Sequence, residues 1–193
     1  SLADRLHRGE RLALLAQVAA TEAERERLWQ VRQAVLPALY GLRGAAAPLA
    51  FVEDVGVPAE LLGVYLHRVQ EVLQRHETTA SYLIHAATGQ VHMRPFFDLQ
   101  NPGDAARLWS LADAVYEVVL ELGGTISSQH GTGLARTPWV ARQAGRLYPV
   151  WRELKAVFDP RHLFNPGKII GPAPGTSPWP LRQRLRADAD NPT

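Results

Sequence analysis

Thr79-Ala80-Ser81-Tyr82-Leu83-Ile84-His85, then Ala86-Ala87-Thr88-Gly89, then Gln90-Val91-His92-Met93-Arg94-Pro95-Phe96-Phe97 is the stretch that decides the fold. The outer runs are rich in aromatic and β-branched residues, which suit a pleated strand. The link holds a glycine, so the pair reads as two antiparallel strands, Thr79–His85 and Gln90–Phe97, around a hairpin turn centred on Thr88-Gly89. Working outward, Pro58 stands where a first helical position is expected, and Leu61, Leu62, Tyr65, Val69, Val72 and Leu73 follow at helical spacing. On the other side Asn101-Pro102 caps a helix striped by Leu108, Leu111, Val115, Val118 and Leu122, and Gly123-Gly124 stops it.

Further out, Leu49–Glu53 reads as a strand centred on Phe51 and Val52, and Thr125–Ser128 as a short strand. Leu2–Ala20 is expected to be helical. Thr21-Glu22-Ala23-Glu24 is a capping box that starts a helix through Trp29, Arg32 and Leu36, ended by Pro37. Gly41 to Pro48 is a loop containing Arg43. A last helix carries Trp151, Leu154, Val157 and Phe158 and ends at Asp159-Pro160. Helix, strand, helix, strand, strand, helix, strand, helix predicts an α+β fold, a ferredoxin-like antiparallel sheet covered by helices. Residues 1–170 are expected to form one domain, and the proline-rich stretch 171–193 a linker or tail.

The 193 residues suffice for a substantial core. A net charge of +2, with arginines scattered among acids and no basic stripe interleaved with aromatics, argues against nucleic-acid binding. No apolar run approaches ~20 residues, so no transmembrane helix is expected. The charged N-terminal segment does not read as a signal peptide. Without cysteine, the chain has no disulfide, no thiolate nucleophile and no iron–sulfur cluster of its own.

If Thr88 and Gly89 are the two turn residues, His85 faces His92 on one side of the hairpin, with Arg94 on the same face. Two such imidazoles suit a divalent cation, at about 2.0–2.1 Å, and Arg94 suits a substrate carboxylate. Two surface histidines beside a turn is the other reading of the same spacing. Later comes Ser127-Ser128-Gln129-His130-Gly131-Thr132-Gly133, in which glycines let the backbone come close to a ligand and His130 can exchange a proton near neutral pH.

Taken in order, His85 to His92, Gln129-His130-Gly131-Thr132-Gly133, Asp159-Pro160 and Asn165-Pro166-Gly167-Lys168 resemble the C-terminal domain of FAD-linked oxidases. That family includes D-lactate dehydrogenases, glycolate oxidase and other D-2-hydroxyacid dehydrogenases. Its elements are His-x-Gly-Asp-Gly-Asn-x-His, Gly-Glu-His-Gly-x-Gly, Asp-Pro and Asn-Pro-Gly-Lys, and the resemblance runs from about Trp29 to Ile170. It implies the same ferredoxin-like fold. It also implies the substrate-binding and catalytic half of a larger FAD-dependent enzyme that oxidises a D-2-hydroxy acid of the lactate or glycolate type. FAD would be held mainly by an N-terminal domain of the same polypeptide. Consistent with that expectation, the chain starts at Ser1 and has no glycine-rich nucleotide cradle. The isolated chain is then expected to be inactive.

By the same resemblance His130 is the general base, Arg94 and Arg43 face the substrate, and Asn165 lies in the signature that packs against the flavin half. His85, His92 and Gln129 match metal ligands, for zinc or manganese. Gln129 stands where the family has glutamate, and a neutral amide is the poorer ligand for such a cation. Thr88 and Gln90 replace the family's Asp and Asn. Glu53-Asp54 also matches, but with no role assigned beyond solvated acids at a strand end. The proline-rich exit resembles fusion-type members, implying an iron–sulfur electron-transfer module as partner. The expected location is cytoplasmic, with any association to the inner membrane made through partners. Two other readings stand beside this one: a non-catalytic ferredoxin-like interaction domain with a degenerate site, and an unrelated metal-binding regulatory domain.

Overall fold

The computed structural model describes residues 2–12, 14–15, 17–42 and 44–171. The chain divides into two compact units, Ser1–Arg43 and Gly44–Thr193.

In the first unit, helix α1 covers only Leu2–Asp4, and one π-helical turn follows over Arg5–Gly9. The helix expected through Ala20 stops here because Arg11 takes a left-handed φ of 52°, which an α-helix cannot contain. Helix α2 spans Glu22–Tyr40 and opens on a complete capping box: Thr21 Oγ1 accepts from Glu24 N, and Glu24 Oε2 accepts from Thr21 N at 3.0 Å. It runs past Pro37, where the sequence predicts a stop. Proline removes one hydrogen bond, but the last turn closes around it, with Gly41 N donating to Pro37 O at 2.9 Å.

The second unit holds the sheet. Its strands are β1 (Ala47–Pro48), β2 (Val55–Gly56), β3 (Ala80–His85) and β4 (Gln90–Phe97). Its helices are α3 (Leu62–Arg75), α4 (Pro102–Glu121), α5 (Gly133–Ala144) and α6 (Tyr148–Phe158). β4 is central and antiparallel to all its neighbours, with β3 along one edge. On the other edge β1 pairs with its end at Phe96-Phe97, and β2 with its start at Gln90-Val91. Beyond β2, Gly56 meets Thr125 in a single antiparallel bridge. With β1 and β2 counted as one interrupted strand, the sheet has the order of a ferredoxin-like β-α-β-β-α-β unit: fourth segment, first, third, second.

The core lies where α3 and α4 cover the sheet. Tyr65, Val69, Val72 and Leu73 of α3 and Leu108, Leu111, Val115 and Val119 of α4 are buried with Val91, Met93 and Phe97 of β4. α4 begins as expected, with Asn101 Oδ1 accepting from Gly103 N at 3.0 Å.

Five expectations need correction in this unit. Leu49–Glu53 is not a strand. Leu49, Phe51 and Val52 turn inward as core anchors, so the chain leaves the ladder between Pro48 and Val55 and returns through Asp54 at a φ of 66°. Thr125–Ser128 makes only one bridge, through Thr125, because the amides of Ile126 and Ser128 go to Gln143 and Asp54 instead of a strand. The hairpin register is His85↔Gln90, not His85↔His92, with four residues in the turn. Gly89 fixes that turn: its φ is +70°, its carbonyl accepts from Val57 N at 2.9 Å, and a Cβ there would lie 1.9 Å from Val57 O. Finally, α5 was missed, since Gly133 at its start and Pro138 inside it both read as breakers. Pro58 is the residue before a short 3-10 turn, Ala59–Leu61, that leads into α3, so the helical segment starts one position later than predicted.

Candidate active site

Strand alternation sends Val91, Met93 and Phe97 into the helix-covered core, so Gln90, His92 and Arg94 take the opposite face. His85, paired with Gln90, shares that face. The register slip of two residues therefore keeps the histidines together, diagonal instead of opposed, with rings edge-on and centroids 5.4 Å apart. Leu83 is the residue that directly faces His92.

The interrupted strand adds the acids. Phe51 is fixed in an aromatic cluster with Trp109 and Trp139, at centroid distances of 5.0 and 6.1 Å, and its carbonyl accepts from Tyr116 Oη. The two residues beyond Val52 are then thrown onto the histidine face. Glu53 is only 7% exposed, and Asp54 is fully buried.

Asp54 organises the loop that carries His130. Its carboxylate accepts from Ser127 Oγ at 2.9 Å, Ser128 Oγ at 2.7 Å, Gln129 N at 2.9 Å and His130 N at 2.8 Å. Burial alone would raise its pKa, but these donors outweigh it and hold the group down at about 2. From α5, the buried Arg136 donates to Gly131 O and, at 2.8 Å, to Glu53 O, tying the loop to the acid segment.

The result is a compact cluster. The His130 ring stacks on His92 at 5.1 Å, its Nδ1 lies 3.4 Å from Glu53 Oε1, and its side chain remains 47% exposed. Glu53 Oε2 accepts from Arg94 Nε at 3.2 Å. Burial, and then the neighbouring His130, push the His92 imidazole below its ordinary pKa, against the pull of Asp54 and Glu53. The shift favours the neutral imidazole, the form that binds metals. Among the described residues His92 Nδ1 is buried without a hydrogen-bond partner.

Donor atoms of Glu53, His92 and His130 lie within 4.8 Å of one another. A carboxylate with two imidazoles is a donor set that fits a divalent cation. Gln129, expected as a ligand, donates its amide to Gln90 Oε1 at 3.0 Å. Asn165 belongs to another loop, where its side chain accepts from Lys168 Nζ at 3.0 Å beside exposed Leu163 and Phe164. That loop presents an exposed apolar surface. Arg43 lies outside the described residues.

The sequence marks Glu53-Asp54 as matching the family without giving them a role, and it does not single out Arg136. The signal available was the acidic pair directly after the apolar Phe51-Val52, where a solvated strand end is the simpler inference.

A hairpin with two histidines, faced by a glycine-flanked histidine loop on a ferredoxin-like sheet, defines the class of protein. Residues 3–169 match the family "FAD linked oxidases, C-terminal domain". The chain belongs to that family. It is 34% identical over 155 residues to D-2-hydroxyglutarate dehydrogenase of Pseudomonas putida, covering 79% of this chain and 15% of the relative. It is 32% identical to glycolate oxidase subunit GlcD of Escherichia coli strain K12, covering 80% and 30%. To a probable mitochondrial D-lactate dehydrogenase of Danio rerio it is 29% identical, covering 79% and 30%. The chain thus spans between about a seventh and a third of the curated relatives it matches. Among the described residues no helix is long and apolar enough to cross a membrane.

Proposed function

We propose that this chain is the substrate-binding and catalytic half of an FAD-dependent oxidoreductase that oxidises a D-2-hydroxy acid of the lactate or glycolate type. The observation that carries the reading is His130: half-exposed, its backbone clamped by Asp54, and its ring set beside Glu53 and His92, with Arg94 on the other oxygen of Glu53. An N-terminal domain of the same polypeptide holds FAD, and the surface around Asn165 faces it. FAD, when bound, supplies the hydride acceptor. The residues of this chain supply the rest. Arg94 receives the substrate carboxylate, and His130 removes the proton of the 2-hydroxyl group.

A divalent cation, zinc or manganese, is the second part of the proposal. His92 anchors it, with Glu53 as the anionic donor and His85 and Gln129 as flanking groups. It would polarise the substrate's hydroxyl oxygen and lower the cost of deprotonation. An iron–sulfur module as electron acceptor, and a cytoplasmic location with inner-membrane association only through partners, complete the reading.

The test is rapid-reaction flavin reduction by a D-2-hydroxy acid in the whole enzyme. His130→Ala is expected to slow it by about 10²–10⁴-fold, the usual range for a lost general base, while FAD content stays the same. Reduction at the wild-type rate would make His130 structural. The reading of a non-catalytic domain, to which the Gln129–Gln90 contact lends support, would then replace this one.

A further inference from the structure

Glu53 divides its two carboxylate oxygens between two partners. Oε1 lies 3.4 Å from His130 Nδ1, whereas Oε2 accepts from Arg94 Nε at 3.2 Å and lies 3.1 Å from Arg94 Nη2. Its backbone carbonyl is held by Arg136 Nη2 at 2.8 Å, and its side chain is almost wholly buried. A guanidinium only donates hydrogen bonds and a carboxylate only accepts them. With Oε2 taken up by Arg94, Oε1 presents an acceptor to Nδ1. We infer that Glu53 is the positioning residue of this site: it keeps the proton of neutral His130 on Nδ1, leaves Nε2 as the proton acceptor, and holds Arg94 in register with that base. The inference rests on the reading of His130 as the base. At 3.4 Å the pair is a close contact and not a hydrogen bond in this structure, and the inference requires it to tighten when substrate closes the site, as catalytic hydrogen bonds do.

The consequence is specific. In Glu53→Gln, Arg94 takes the amide oxygen, so the amide nitrogen faces His130. That nitrogen donates, Nδ1 must accept, and the ring proton moves to Nε2. Size and shape scarcely change, yet the lone pair needed for catalysis is lost, as when the aspartate of a catalytic triad becomes asparagine. A Glu53 that merely filled space would leave the tautomer alone.

Two measurements test this. In the metal-free 193-residue chain with 15N-labelled histidine, at about pH 8 where imidazoles are neutral, NMR is expected to show Nδ1–H for His130 in the wild type and Nε2–H in Glu53→Gln. Glu53→Asp is expected to keep Nδ1–H. An unchanged tautomer in Glu53→Gln, or Nε2–H in Glu53→Asp, overturns the inference. In the whole enzyme, compared at a metal content equal to that of the wild type, Glu53→Gln is expected to cut the limiting rate of flavin reduction by about 10²–10⁴-fold with half-saturation moved far less, and Glu53→Asp to recover part of the rate. Reduction at the wild-type rate in Glu53→Gln alone, with His130→Ala still defective, overturns the role of Glu53. A wild-type rate in both variants overturns the reading beneath it.

Discussion

The loop carrying His130 and the loop carrying Asn165 are built by the same device with opposite results. Each is tied down by one buried aspartate whose carboxylate collects backbone amides. Asp54 binds Gln129 N and His130 N along with two serine hydroxyls. Asp159 binds Leu163 N and Phe164 N, both at 2.9 Å, together with Lys155 Nζ at 2.6 Å. Both acids are held at about pKa 2, Asp54 by neutral donors against the cost of its burial and Asp159 chiefly by the lysine. The difference lies in where the negative charge goes. Lys155 neutralises Asp159 locally, and that loop displays the apolar Leu163 and Phe164. No donor to Asp54 is cationic among the described residues, so its field reaches the neighbouring imidazole of His92. One loop is built as a surface, the other as a polar site.

The largest effect expected from this contrast is at Asp54. Asp54→Ala strands four or more buried donors and should cost about 3–4 kcal/mol in chemical denaturation of the 193-residue chain. A loss below about 1 kcal/mol would mean that the loop holds itself. A pH dependence follows from the same group. Its folded pKa is depressed from 3.8 to about 2, so its stabilisation is fully present above about pH 4 and is lost as pH falls through 2. The amount is about 2 kcal/mol, readable as the difference between wild type and Asp54→Asn in denaturation midpoints across pH 2–5. If the two curves run parallel, the carboxylate is not the titrating group.

Asp159→Asn should cost less, about 1–2 kcal/mol, because its loop is more exposed and its lysine can rehydrate. An effect equal to that of Asp54→Ala would erase the distinction between the loops. A cation adds a further comparison. Calorimetry of the isolated chain with zinc or manganese should give modest affinity, lost in His92→Ala and only weakened in His85→Ala. The reverse order would move the anchor to His85. The smallest effect is reserved for Phe164→Ser, within about 0.5 kcal/mol in the isolated chain, as for an exposed position. A large loss there would show that the apolar loop serves the fold of this unit.

The regular elements were legible because their signals are local. The capping box at Thr21, the stripes of α3 and α4, and the strand β4 all depend on spacing within a few turns or pleats. The histidines were legible by parity: His85 and His92 share a face in either register, although the sequence could not weigh Gly89's contact with Val57 and so set the turn two residues too short. Glu53 and Asp54 were not legible, since what makes them important is donors 41 to 76 residues away. Arg136 was hidden for the same reason, inside a helix whose glycine and proline disguise it.

The break in the edge strand between Pro48 and Val55 has a consequence for how such a site can change over time. Register is pinned on both flanks, by Ala47 and Pro48 against Phe97 and Phe96, and by Val55 and Gly56 against Val91 and Gln90. Glu53 lies outside those ladders. Its charge can therefore be altered without re-pairing any strand, so the chemistry of the pocket can drift while its scaffold is inherited intact. Asp54 has no such freedom, because five donors from the neighbouring loop are closed around it. Of two adjacent acids, one is free to specialise and the other is bound to the architecture.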